Sequence, residues 1–391
     1  LHMIVINSSR QADHTADLNL ISSKFPELKQ FMYPNYPEPQ QDQPFVWFSL
    51  SGGSEQPFTC LDLSKVPLPI ILYSIPRDNS SAATQEIAFY LKRNLIPHIH
   101  CKNPESLAIA LSKHAQLHEM VQKIKNTKIL RVGDYSNWLI NEKDSFWLQQ
   151  LPQIIDVPIQ EFMERPFEKQ HLDISQKGNH CSEHVAPAIE LYGRLKSLLV
   201  ATGCTALTVK CFDLLTTYKH HAACYPYAQL QKEGILCACE GEMSSALGMI
   251  FLRQFVSSGI FMANYLENNN QTYKFAHCTA PLCGIEELSC DESVRLRTHY
   301  ETKDGLSVTV QLQKQRVLVF KLRLGQNIFQ IMSGELVKSP LDDIEETQCR
   351  TQVEIVMDNE KDVIGNHYLI CKEKNVEQLR EALKIWGFFE V

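Results

Sequence analysis

Short, almost wholly apolar runs, each followed by a turn or a helical stretch, are the feature that most constrains how this chain can fold. In the first third, such runs occupy residues 4–6, 45–48 and 69–73, and apolar residues recur at helical spacing over residues 82–93. Strands that lack alternating polar residues are typically buried on both faces, as in a parallel sheet covered by helices. The sequence therefore predicts a doubly wound α/β domain over residues 1–125.

The same alternation resumes near residue 126. Residues 128–133, 153–157 and 206–211 have the composition of buried strands, and residues 186–201 have that of a helix. We expect a second doubly wound α/β domain over residues 126–250.

The remainder of the chain follows a different pattern. Apolar and polar residues alternate over residues 307–312, 316–324 and 352–357, and a helical stretch at residues 377–386 closes the chain. A period of two indicates antiparallel strands with one face in solvent. The prediction is a β-rich C-terminal domain over residues 251–391, so the fold class is α/β with two doubly wound domains followed by a β-rich one.

Charge and cysteine content exclude several classes of protein. Among 391 residues, 38 Lys and Arg stand against 45 Asp and Glu, so no global basic field favours nucleic acid or an anionic membrane. No apolar run approaches the ~20 residues that a membrane span needs, and we expect no secretory signal before Met3. Thirteen cysteines without a C-x-x-C pair indicate reduced thiols. We expect a cytoplasmic protein with no nucleic-acid and no membrane partner.

The stretch from residue 234 to residue 278 carries the clearest candidates for chemistry. Residues 235–238 form a predicted strand that delivers Glu240 into a turn, and a carboxylate beyond such a strand lies at the ligand-binding edge of an α/β sheet. A capping or solvent-facing role is the alternative for Glu240. Glu242 lies in the first turn of a predicted helix, where its charge can simply complement the helix dipole.

Two histidines stand at the ends of predicted strands. His277 follows a polar stretch, and His367 lies between a glycine turn and an apolar run. A histidine in such a place can bind a metal ion, titrate or cap a turn. From the residues alone, a structural role remains open for both.

Other motifs have simpler interpretations. Cys181-x-x-His184 has the spacing of metal ligands but lacks a second pair, and His220-His221 fits a surface turn. Ser51-Gly52-Gly53-Ser54-Glu55 resembles a phosphate-binding loop, but it lacks both G-x-G-x-x-G and the Walker lysine.

A series of short patches follows in order over nearly the whole chain. These patches are Gly52-Gly53-Ser54-Glu55, Asn79-Ser80, Ser136-x-Trp138-Leu139-Ile140, Lys210-Cys211-Phe212-Asp213, Cys239-Glu240-Gly241, Ala276-His277-Cys278 and Gly365-Asn366-His367. In this order they resemble the L-fucose/L-arabinose isomerase superfamily, specifically its shorter fucose isomerase-related proteins.

The resemblance implies two Rossmann-like α/β domains followed by a β-rich domain. It implies aldose–ketose isomerisation of a sugar through a cis-enediol, assisted by a divalent metal, usually Mn²⁺. The metal ligands fall on Glu240, Asn264 and His367, the catalytic pair on Glu240 and Asn264, and His277 and Glu242 are expected near the substrate. Relatives of this kind form trimers or hexamers, so a homo-oligomer is implied.

Asn264 departs from the family, which carries aspartate there. An amide oxygen can still coordinate a hard cation, but a general base, typically worth about 10²–10⁴ in rate, is lost. The leading hypothesis is an isomerase weakened by this change. A catalytically silent carbohydrate-binding or regulatory relative is the alternative, and a nucleotide- or acyl-handling enzyme that uses residues 51–55 is a third.

Overall fold

The computed structural model describes residues 2–8, 13–141, 152–172, 174, 182–285 and 293–391. The chain divides into two compact units, residues 1–125 with 381–389 and residues 126–380 with 390–391. The boundary at residue 125 is shared with the sequence-based division, whose three domains stay a prediction.

The first unit contains a five-stranded parallel sheet in the order β2-β1-β3-β4-β5. Its strands are β1 (Met3–Asn7), β2 (Lys29–Met32), β3 (Phe45–Ser49), β4 (Ile70–Ser74) and β5 (His98–Cys101), and its helices are α1 (Thr15–Lys24), α2 (Glu55–Thr59), α3 (Ser80–Arg93) and α4 (Pro104–Asn126). The strands β1, β3 and β4 are buried along their whole length. The apolar runs therefore form a buried parallel sheet, which confirms the α/β character predicted for this part.

The second unit begins with a four-stranded parallel sheet in the order β7-β6-β8-β9. Its strands are β6 (Lys128–Val132), β7 (Gln153–Val157), β8 (Ala206–Val209) and β9 (Leu236–Cys239), and the associated helices are α5 (Ile159–Glu164), α6 (Ser182–Thr202), α7 (Cys211–Thr217), α8 (Cys224–Lys232) and α9 (Met243–Arg253). The strand expected over residues 206–211 is shorter, because α7 begins at Cys211.

Six antiparallel strands of the second unit close on themselves in the order β14-β17-β10-β11-β16-β15 and back to β14. The strands of this part are β10 (Phe261–Asn269), β11 (Thr272–His277), β12 (Val294–Thr298), β13 (Leu306–Val310), β14 (Arg316–Arg323), β15 (Ile328–Lys338), β16 (Thr351–Met357) and β17 (His367–Lys372). The chain continues with α10 (Val376–Ile385) and β18 (Phe389–Glu390), of which residues 381–389 are grouped with the first unit. Phe261, Phe275, Val319 and Tyr368 belong to the apolar core on one face of this closed sheet. The β-rich character of the late chain is confirmed.

The expected solvent face is missing where α9 packs against the closed sheet. Strand β16 alternates between buried and more exposed residues, as predicted, but β14 and β17 are buried on nearly every residue. Gly248 of α9 explains the close packing, since a Cβ there would lie 2.9 Å from the side chain of Leu369 and 3.2 Å from that of Phe320. The prediction of one solvent face was thus wrong for β14, because a helix covers it, whereas the apolar run predicted at β17 is buried as expected. It was also wrong for β13, which is buried on every residue.

Within the described ranges, no helix combines the length and the apolar character needed to cross a membrane.

Candidate metal centre

A tight turn after β9 fixes the position of Glu240. Glu240 adopts φ +62 and Gly241 φ +79, so two consecutive residues are in the left-handed region. A Cβ on Gly241 would lie 2.4 Å from the carbonyl oxygen of Asp134, and the backbone N–H of Ser136 donates to the Glu240 carbonyl over 2.8 Å. Left-handed backbone at a non-glycine residue is unfavourable and is concentrated at functional sites.

The Glu240 carboxylate is buried, with 8% of the residue exposed. The indole Nε1–H of Trp138 donates to its Oε2 over 2.6 Å, and its Oε1 lies 3.8 Å from His367 Nε2. One carboxylate oxygen is therefore held by Trp138, and the other faces the imidazole.

His367, the first residue of β17, is fully buried between two carboxylates. Its Nδ1 lies 3.2 Å from Glu242 Oε2, on the opposite side of the ring from Glu240. Neither ring nitrogen makes a well-aligned hydrogen bond within the described part of the chain. A carboxylate at Nδ1 favours the tautomer with the proton there, which leaves the Nε2 lone pair available to a metal ion.

Glu242 belongs to a buried ionic network. Its Oε1 lies 3.0 Å from Lys321 Nζ, and Ser245 Oγ donates to its Oε2. Burial acts to raise the pKa of Glu242, but the Lys321 ammonium and the His367 imidazole outweigh burial and hold the pKa well below its usual range. Glu242 is thus ionised, and its contacts favour a positioning role toward His367. The substrate contact expected for it stays a prediction.

His277, the last residue of β11, completes the cluster. Its ring centroid lies 5.6 Å from that of His367, and its Nδ1 is 2.9 Å from Thr279 Oγ1. Burial, followed by the neighbouring His367, lowers the pKa of His277 to about 3, so the imidazole is neutral, as a metal ligand must be. Glu240, His277 and His367 offer ligand atoms that all lie within 4.8 Å of one another.

Asn264 is paired directly with His367 across β10 and β17. Residues opposite each other in an antiparallel pair point to the same face, with Cβ atoms about 4.5–5.5 Å apart. The Asn264 amide donates from Nδ2 to Cys349 Sγ over 3.8 Å, while its Oδ1 is buried without a hydrogen-bond partner. A buried carboxylate, two imidazoles and an orphaned amide oxygen are a donor set that fits a divalent cation such as Mn²⁺.

Lys321 and Trp138 are the members of this site that sequence reasoning did not assign. Lys321 interrupts an apolar strand, which is a signal for a buried charge with a partner. Trp138 was part of the resemblance, but nothing in its sequence context indicated a hydrogen bond to Glu240. His277 was assigned to substrate and lies among the potential metal ligands.

The weaker motifs are resolved differently. His184 and His220 meet at Asp304, with 3.2 Å between their Nδ1 atoms and 2.5 Å from His220 Nδ1 to Asp304 Oδ1. Cys181, the proposed companion of His184, lies outside the described residues. In the 51–55 loop, Ser54 Oγ donates to the Ser51 carbonyl over 2.8 Å, so this buried hydroxyl is already used inside the loop.

A cleft of about 470 Å³ lies at the carboxyl ends of β6, β7 and β8. Its charged residues are paired with one another: Arg131 with Asp156 at 2.5 Å, and Lys210 with Asp213 at 2.8 Å. The cleft therefore lacks the converging acid and base groups found around Glu240.

No model of a known protein family matches the chain. A search of curated proteins likewise found no match.

Proposed function

We propose that the chain is a metal-assisted aldose–ketose isomerase that moves a proton between the first two carbons of a small sugar. The observation that carries the proposal is the convergence of Glu240, His277 and His367, all buried, with ligand atoms within 4.8 Å of one another. The order of the family-like patches along the sequence supports the same function.

Glu240, His277 and His367, with the amide oxygen of Asn264, would hold the divalent ion, for which Mn²⁺ is our candidate. When bound, such an ion polarises the carbonyl and hydroxyl oxygens of the sugar. The carboxylates of Glu240 and Glu242 and the ammonium of Lys321 together leave one negative charge in the buried site, which favours a cation.

Glu240 is the base in this proposal. It removes the proton from C2 of the aldose, the electron pair of the C–H bond forms the C1–C2 double bond, and the C1 carbonyl oxygen takes up a proton to give a cis-enediol. Glu240 then returns its proton to C1. At the same time the C2 hydroxyl releases its proton to solvent, which replaces the proton that the C1 oxygen took from solvent. The O–H electron pair forms the C2 carbonyl and the C1–C2 double-bond pair forms the new C1–H bond, so no oxidant or reductant is needed.

The other site residues are poor proton carriers. His277 has a pKa of about 3 and stays neutral at physiological pH, Asn264 has no acid–base chemistry, and Glu242 is bound to Lys321. Transfer by a single carboxylate on one face of the enediol is therefore the pathway that the described residues favour.

Trp138 provides a place for the sugar. Half of this residue is exposed, although its indole N–H binds the buried Glu240 carboxylate. Phe212 supports the ring in an edge-to-face contact with centroids 5.1 Å apart. An exposed aromatic face beside the base suits the apolar C–H face of a sugar.

The test is to incubate the protein with Mn²⁺ and a panel of aldoses in D₂O, and to measure both ketose formation and deuterium at C1. We expect turnover with at least one aldose. We also expect loss of turnover in E240Q but not in E354Q, a matched change at a half-buried glutamate paired with Lys338 outside the site. No ketose across the panel together with no Mn²⁺ uptake would reject the function.

Asn264 favours a second candidate, a catalytically silent carbohydrate-binding relative. This protein would be stabilised thermally by a sugar without turning it over. N264D should then raise the affinity for Mn²⁺ and create turnover. If N264D changes neither quantity, Asn264 does not belong to the metal site.

A Rossmann-like architecture for the two parallel sheets and a homo-oligomer of three or six copies belong to the same proposal and rest on the resemblance. A cytoplasmic location is proposed from the thirteen cysteines, which lack a C-x-x-C pair. Light scattering of the purified protein tests the assembly, since a monomer at all concentrations contradicts it.

A further inference from the structure

Four further buried side chains, three cysteine thiols and one imidazole, lie close together in the second unit. None of them is among the ligands assigned to the site around Glu240. Cys224, Cys278 and His299 offer ligand atoms that all lie within 4.8 Å of one another. Cys349 belongs to the same buried cluster as Cys224 and Cys278, and its Sγ accepts a hydrogen bond from Asn264 Nδ2 over 3.8 Å. The exposed fractions are 5% for Cys224, 2% for Cys278, 7% for His299 and 9% for Cys349.

These residues come from separate elements of the fold. Cys224 is the first residue of α8, Cys278 follows β11, His299 follows β12, and Cys349 precedes β16 by two residues. Their convergence is therefore a product of the tertiary fold, and no short sequence motif encodes it.

Thr302 holds the ring of His299 in place. The Nδ1 atom of His299 lies 3.2 Å from Thr302 Oγ1, and the backbone N–H of Thr302 approaches the same nitrogen at 3.5 Å. The loop after β12 therefore fixes the orientation of this imidazole within the cluster.

The spacing and the chemistry agree with a thiophilic ion. Zn²⁺ binds sulfur at about 2.3 Å, so two sulfurs of a tetrahedral site are roughly 3.8 Å apart, within the spacing of the cluster. The neighbours Leu215, Ala222 and Ala276 are apolar, and a dry shell of this kind is typical around structural zinc.

We infer that Cys224, Cys278 and His299 form a second metal site that is specific for a thiophilic ion such as Zn²⁺. All three ligands are buried and come from separate elements, so the role of the site is structural. It ties α8 to the ends of β11 and β12. Its ligands differ in kind from the oxygen-containing set around Glu240.

Cobalt spectroscopy separates the two sites. The full-length protein is stripped of metal under reducing conditions and titrated with Co²⁺. We expect a near-ultraviolet thiolate-to-cobalt charge-transfer band and strong tetrahedral visible bands that saturate at about one equivalent and disappear on adding Zn²⁺. E240Q should keep these bands, because the Glu240 set contains no sulfur.

Variants test the individual ligands. C224S and H299A should weaken or abolish the charge-transfer band, whereas C204S, a matched change at a buried cysteine outside the cluster, should leave it unchanged. T302V alters an exposed residue whose hydroxyl lies 3.2 Å from Nδ1 of His299. It should weaken Zn²⁺ binding by about 10–100-fold, as removal of such orienting partners does in other metal sites, without changing the circular dichroism.

The wild-type titration decides the matter even if a variant does not fold. Absence of a thiolate band in the reduced wild-type protein at any Co²⁺ concentration would overturn the inference. So would equal alkylation rates of these thiols with and without Zn²⁺, or loss of the band in E240Q.

Discussion

At the scale of single residues, the ion pair of Glu242 and Lys321 is the most demanding contact of the candidate site. The side chains are 5% and 2% exposed, with 3.0 Å between Oε1 and Nζ. Removing one partner of a buried pair leaves the other charge without compensation. E242Q should therefore lower the free energy of unfolding by about 3–5 kcal/mol, measured by urea denaturation.

Two further variants test whether the loss of stability in E242Q comes from the unpaired charge of Lys321. K321M in the E242Q background should recover most of the loss, because it removes this buried ammonium. K338A, which breaks an exposed pair with Glu354, should change stability by no more than about 1 kcal/mol. Equal losses in E242Q and K338A would contradict a buried-charge effect.

The variant W138F tests whether the hydrogen bond from Trp138 orients the Glu240 carboxylate. W138F retains an aromatic ring but loses the hydrogen bond to a charged oxygen, an interaction worth about 1.5–3 kcal/mol. If the bond is used fully in the reaction, kcat/KM should fall by about 10–100-fold. The free energy of unfolding should also fall, by about 1–3 kcal/mol, because the buried Glu240 carboxylate loses its hydrogen-bond donor.

Should turnover be absent, the Mn²⁺ dissociation constant of W138F gives a second readout of the same contact. Unchanged values of both quantities would show that Trp138 does not orient the carboxylate.

At the scale of elements, the turn after β9 depends on the missing side chain of Gly241. In G241A an alanine must adopt φ +79, which is unfavourable for a residue with a side chain. Its Cβ would also lie 2.4 Å from the carbonyl oxygen of Asp134. We expect a loss of stability of about 2–4 kcal/mol, combining the conformational and steric contributions, and weaker Mn²⁺ binding in a titration.

Gly234 is the matched control for this turn. It has φ +89, but nothing lies within 4 Å of a Cβ placed there. G234A should therefore lower the free energy of unfolding by only about 1 kcal/mol, through the unfavourable backbone conformation alone. Equal effects of the two variants would mean that the approach of residues 134–135 does not matter.

The buried His98 at the start of β5 should make the stability of the first unit depend on pH. His98 is 5% exposed, and burial lowers its pKa to about 4 from 6.5. Because the folded pKa lies below the unfolded one, the unfolded chain binds more protons between these values. The contribution of His98 to the free energy of unfolding is therefore fully present above pH 6.5. It is lost as the pH drops toward 4, by up to about 1.4 kcal/mol per pH unit.

H98L should reduce the slope of the free energy of unfolding against pH between pH 4 and 6.5, and it should leave the slope above about pH 7 unchanged. Urea unfolding at a series of pH values measures both. Burial also lowers the pKa of His114 in α4 to about 4, so part of the slope should remain. A slope identical to that of the wild-type protein would contradict the assignment to His98.

At the scale of the whole molecule, a segment near the end of the chain belongs to the unit that contains residues 1–125. Residues 381–389 group with residues 1–125, Trp386 is fully buried, and Glu381 pairs with Lys113 at 3.3 Å. W386A should destabilise the first unit by about 3–5 kcal/mol. Hydrogen exchange should accelerate at β1, β3 and β4 more than in the closed sheet.

Phe389 supplies the control for this prediction. It is 43% exposed, and Lys92 Nζ lies 5.1 Å from its ring centroid. F389A should change stability by about 1 kcal/mol or less. Acceleration confined to the closed sheet in W386A would contradict the grouping of the chain ends.

The parts of the fold that could be predicted are those with a strong local pattern. The apolar runs at residues 45–48 and 69–73 mark buried strands, and the period of two over residues 352–357 marks an antiparallel one. The closure of the sheet through β14 and β15 could not be predicted. It depends on pairings between strands, and residue periodicity does not record which strands meet.

The same distinction holds for the candidate site. The sequence by itself determined that Glu240 follows a buried strand, that His277 and His367 stand at strand ends, and that position 264 lacks a carboxylate, because each of these is a local property. Only the tertiary structure decided that His367 lies between Glu240 and Glu242, that Lys321 neutralises the second carboxylate, and that three thiols and His299 converge. Burial and long-range contacts set the charge state and the orientation of these groups, and both arise only when distant segments pack together.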